Sequence, residues 1–89
     1  MTDMPFLPEF RQAKERSKWI TENASYFTVI RRKNRSYLRE EKPTLAEAVS
    51  YAQRLIERDQ EYRFLIYAGA GIHDTLAATV SIEGVKYHE

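Results

Sequence analysis

The stretch KPTLAEAVSYAQRLIERD, residues 42–59, constrains the fold more than any other part of the chain. Thr44 followed by Glu47 is the pattern of a capping box, and Leu45, Ala48, Val49, Ala52, Leu55 and Ile56 recur at helical spacing. The pattern predicts a helix from Leu45 to about Asp59, with Glu47, Ser50, Gln53, Arg54, Glu57 and Arg58 in water. Six apolar positions on one side form a stripe broad enough to cover a sheet, and a helix of this kind is stable only when something covers it.

The neighbouring segments supply that sheet. Residues 26–32 (YFTVIRR) and 35–41 (RSYLREE) combine β-branched and aromatic residues around a polar turn, as in a β-hairpin. A Lys33-Asn34 loop would set Ile30 opposite Tyr37 and Val29 opposite Leu38, matching apolar pairs across the ladder. A loop at Asn34-Arg35 would instead oppose Ile30 to Arg39 and Val29 to Glu40, so the first register is expected. In that register Phe27, Val29 and Leu38 share one face, and Tyr26, Ile30 and Tyr37 share the other. YRFLIYA (62–68) is apolar on both faces and reads as a central strand, with Tyr62, Phe64 and Ile66 on one side and Arg63, Leu65 and Tyr67 on the other. GAGIHD (69–74) reads as a loop, TLAATVSI (75–82) as a strand presenting Leu76, Ala78, Val80 and Ile82 together, and VKY as an edge segment after Glu83-Gly84. Near the N-terminus, residues 1–8 with Pro5 and Pro8 read as an extended segment, followed by a short helix from Glu9 to about Trp19 anchored by Phe6, Phe10 and Trp19. Thr21 to Ser25 reads as a loop.

The expectation is one α+β domain over residues 9–89 in the order α-β-β-α-β-β: an antiparallel sheet of four strands, five if the edge segment pairs, under one main helix and a short N-terminal one. Eighty-nine residues suffice for one modest core. There is no cysteine, which removes disulfides and thiolate metal sites and fits a reducing compartment. Residues 1–20 contain no continuous apolar run, so a cytoplasmic protein without membrane contact is expected.

Charge is where function enters. The net charge is +1, but between Arg11 and Lys42 ten Lys or Arg stand against four Glu, a local +6. Arg31, Arg32, Lys33, Arg35 and Arg39 crowd the hairpin turn, with Tyr37 among them. Guanidinium groups bind phosphates in bidentate fashion and tyrosine rings stack on bases, so this set is the candidate contact for nucleic acid or for an acidic protein surface. The plainer reading is that cations line an edge strand to block unwanted pairing, helped by Glu40 and Glu41. Phe6, Phe10, Trp19 and Tyr26 form a second candidate, a partner or homodimer face, against the alternative of a small core under the N-terminal helix.

Catalytic signals are weak. Gly69-Ala70-Gly71 lacks the third glycine and the following helix of a dinucleotide loop, and reads as turn glycines. His73-Asp74 lacks a nucleophile motif, neighbours along a strand point to opposite faces, and an exposed loop suits the pair better. His73 and His88 do not make a metal site. An RNA-cleaving activity is the sharpest enzymatic alternative, but scattered Arg, Tyr, His and Lys are informative only through their geometry. The expectation is therefore a small non-enzymatic, cofactor-free module that contacts nucleic acid through the basic hairpin in an accessory or regulatory role. The alternative is a protein-interaction domain, a small inhibitor or adaptor of the phage or mobile-element type, which binds an acidic protein or a second copy of itself.

Overall fold

A computed structural model describes residues 13–33, 36–60 and 62–88. The order is α1 (Ala13–Glu22), β1 (Tyr26–Lys33), β2 (Ser36–Lys42), α2 (Leu45–Arg58), β3 (Phe64–Ala70), β4 (His73–Ser81) and β5 (Gly84–Tyr87). All strand pairings are antiparallel and the sheet runs β2-β1-β3-β4-β5, so YRFLIYA lies at its centre and the edge segment pairs as a fifth strand. The α+β expectation holds. No helix among the described residues is long and apolar enough to cross a membrane.

α2 forms as its pattern requires. The Thr44 hydroxyl accepts the Glu47 backbone N–H at 3.1 Å, and Asp59 N–H closes the far end on the Leu55 and Ile56 carbonyls. Ala48, Val49, Ala52 and Ile56 are buried, with Leu45, Tyr51 and Leu55 beside them. They meet Phe27, Val29, Phe64, Ile66, Ala68, Ala78 and Val80 from β1, β3 and β4, a core built from one face of the sheet.

α1 packs against the same side of the sheet, over β3 and β4. The Thr75 hydroxyl in β4 donates to the Ser17 hydroxyl at 2.8 Å, and Ile20 is fully buried. The helix runs three residues past Trp19 because Thr21 Oγ1 donates back to the Ser17 carbonyl, and Asn23 caps the Trp19 carbonyl through both its backbone and side-chain N–H groups. Thr21 and Glu22 are therefore helical rather than loop, and of Ser17 and Ile20, the two residues that continue the apolar spacing of the helix, Ile20 is the buried anchor. The expected segment 1–8, Phe6, Phe10 and the start of the helix at Glu9 lie outside the described residues.

Three strand details differ from expectation. The hairpin adopts the disfavoured register: Lys33 pairs with Ser36, Ile30 with Arg39 and Val29 with Glu40. Apolar cross-strand matching contributes only about 0.2–1 kcal/mol per pair, and this register brings compensating contacts. Leu38 reaches the core, Arg31 opposite it lies 4.5 Å over the Tyr62 ring, and Lys42 lies 4.5 Å over the Tyr51 ring of α2. Because the two registers differ by two residues, the faces assigned to β1 and β2 are unchanged.

GAGIHD is mostly strand. Ala70 pairs with His73, leaving Gly71-Ile72 as a two-residue turn with Gly71 at φ 65°, the left-handed conformation that tight hairpins require there. His73 and Asp74 thus belong to β4 rather than to a loop. The third detail is a β-bulge. Ile66 pairs with Ala78 but Tyr67 pairs with Leu76, so Ala77 is an extra residue and the alternation of β4 reverses across it. Leu76 consequently leaves the face of Ala78 and Val80, and Ile82 is exposed in the turn after β4.

Candidate functional site

Because both helices lie on one side, the other side of the sheet carries no helix among the described residues. Its residues can be placed by register. One row crosses all five strands: Arg39, Ile30, Leu65, Thr79 and Lys86. The next row contains Glu41, Thr28, Tyr67 and Leu76, and the one after it Tyr26, Gly69 and Asp74. Toward the hairpin tip, Tyr37 pairs with Arg32. These rows line a concavity of about 480 Å³ whose walls include Tyr26, Tyr37, Tyr67, Arg39 and Asp74.

The three tyrosines are not equivalent. The Tyr26 ring lies across Gly69, where a Cβ would collide with it, and its hydroxyl donates to the Gly71 carbonyl at 3.5 Å. Gly69 therefore serves close packing, not turn geometry, and Tyr26 is engaged in covering the strand. Tyr67 is half-buried in the middle of the face. Tyr37, on the edge strand, is 57% exposed and presents its ring to solvent. Arg39 is exposed beside it, and among the described residues no carboxylate pairs with it; Glu40 lies 3.8 Å from Lys42 instead.

The hairpin residues of the basic set divide between the two sides. Arg31 alternates with Val29 and packs over Tyr62 on the helix-covered side. Tyr37 and Arg39 share the open face, where Arg32 takes the ladder position opposite Tyr37. Lys33 closes the ladder opposite Ser36, and Arg35 lies outside the described residues. The second candidate set is not brought together: Trp19 belongs to α1 on the covered side, Tyr26 lies on the open face, and Phe6 and Phe10 are outside the described residues.

Two further cations belong to the open face. Lys86 ends the long row, and Arg63, just before β3, lines a shallow hollow of about 390 Å³ with Thr79, Glu83, Lys86 and His88. The alternation of YRFLIYA already grouped Arg63 with Leu65 and Tyr67. Lys86 needed the β4–β5 register, for which the sequence carries no signal. His88 is held at this edge: its N–H donates to the Ala77 carbonyl at 2.8 Å, and its Nε2 lies 2.8 Å from the Thr79 hydroxyl. His73 and Asp74 sit at ladder positions facing opposite sides, and no group of three potential metal ligands gathers among the described residues.

No protein-family model matches the chain, and no curated protein or solved structure is significantly similar to it.

Proposed function

We propose that this chain is a small non-enzymatic module that contacts nucleic acid through the β1–β2 hairpin, in an accessory or regulatory role. The observation that carries the reading is the pairing of Arg39, exposed and without a carboxylate partner among the described residues, with the solvent-facing ring of Tyr37 on one open face. A guanidinium group supplies phosphate affinity and a ring supplies stacking, the two ingredients of a nucleic-acid groove. The cations that the sequence places at the adjoining turn, Arg32, Lys33 and Arg35, add to the same field.

Replacing Arg32, Arg35 and Arg39 together by Ser tests the reading. Fluorescence anisotropy at two salt concentrations should show binding weakened at least tenfold, on the order of one decade, with a shallower salt dependence because two or three phosphate contacts are lost. Unchanged binding, or none by the parent protein, defeats it. The competing reading, a protein-interaction domain whose cations meet an acidic partner, draws on the apolar Ile30, Leu65 and Leu76 of the same face. A stoichiometric complex with one protein that survives nuclease treatment would favour that reading.

A further inference from the structure

Resting on the reading above, we infer that the ligand is a single strand of nucleic acid lying across the sheet, from Arg39 and Tyr37 at the β2 edge to Lys86 at the β5 edge. The argument begins with charge placement. Arg39 and Lys86 terminate one five-residue row, Arg63 borders it just before β3, and Arg32 holds the ladder position opposite Tyr37, one row closer to the hairpin tip. Of the acidic positions, Glu41 and Asp74 fall in the rows away from that tip, and Glu83 of the β4–β5 turn joins Arg63 and Lys86 in their hollow. The cations along this row outnumber the one acid, Glu83, that accompanies them, so the positive band runs perpendicular to the strands. A polyanion following this band crosses the strands rather than running down the hairpin.

The dimensions and chemistry favour one strand over a duplex. Four inter-strand steps of about 4.8 Å separate β2 from β5, giving roughly 19 Å, the span of a few nucleotides. Between the terminal cations lie Ile30, Leu65 and Thr79, with Tyr67 in the adjoining row, a surface on which bases can rest. The exposed Tyr37 ring can stack only on a base freed from pairing, because a duplex keeps its bases stacked inside and offers chiefly phosphates and groove edges. At the β5 end the Thr79 hydroxyl and the His88 imidazole, hydrogen-bonded to each other, line the same hollow as Lys86.

The test uses the full chain with labelled oligouridine, oligothymidine and a duplex of equal length, about twelve nucleotides. Lys86→Gln, on the opposite edge of the sheet from the hairpin, and Tyr37→Ala are compared with Arg58→Gln on the solvent side of α2. Expected are a preference for at least one single-stranded probe over the duplex and a loss of about threefold or more for Lys86→Gln, whose salt slope falls by about 0.7. Tyr37→Ala should lose about fivefold or more. Arg58→Gln should bind like the parent, and circular dichroism should show all three variants folded. If Lys86→Gln binds single strands like the parent, or the duplex binds as tightly, the crossing path is overturned, and the hairpin reading stands provided the triple Arg variant still loses binding. If the parent binds no probe, both readings fall.

Discussion

The two faces of the sheet are built from alternate residues of the same strands, yet they meet different surroundings. On one, Val29, Phe64, Ile66 and Val80 are buried to 1% exposure or less beneath the helices. On the other, their strand neighbours Ile30, Leu65 and Thr79 are half-buried, and Tyr37 is open to solvent. A strand that is apolar on both sides therefore does not imply two cores. The covered face contributes the cohesion of the domain, and the other holds apolar and aromatic surface that no helix among the described residues covers.

The sharpest way to break this contrast is to shorten adjacent residues of β3. Ile66→Ala should cost about 2–5 kcal/mol, since it opens a cavity in a fully packed region. Leu65→Ala should cost about 1 kcal/mol or less, having less area to lose. Urea titrations of both variants decide the point, and equal losses would mean that the open face is covered as tightly as the other. A smaller effect sharpens it from the open side. Gly69→Ala should destabilise by about 1–2 kcal/mol by driving the Tyr26 ring off the strand, and Tyr26 fluorescence or NMR line positions should change with it. On the covered side, Thr44→Ala removes the cap of α2 and should cost about 1 kcal/mol in the same titration.

Legibility followed the range of the interactions involved. α2 was readable to within a residue because capping and helical periodicity are local. The central position of β3 was readable because burial on both sides leaves an uninterrupted apolar run. The hairpin register was not, since the contacts that accompany it, Lys42 over Tyr51 and Arg31 over Tyr62, are made with segments distant in sequence. Leu76 was misassigned for a related reason, because a bulge is a property of the pair of strands and Ala77 carries no mark of it. Of the candidate surface, the tip and Tyr37 were visible as a charge cluster, whereas the division of Arg31 from Arg39 and the arrival of Lys86 depended on which residues became cross-strand neighbours.

The irregularity at Ala77 also governs how the first helix is held. With unbroken pairing Leu76 would replace Thr75 beneath α1, and the hydroxyl that meets Ser17, fifty-eight positions away in the chain, would turn to the opposite surface. One surplus residue in β4 thus acts as a phase shift: upstream of it the strand serves as a polar latch for α1, downstream as ballast for α2. Insertion or loss of a single amino acid there would rewrite the docking of a helix while leaving every residue of that helix intact.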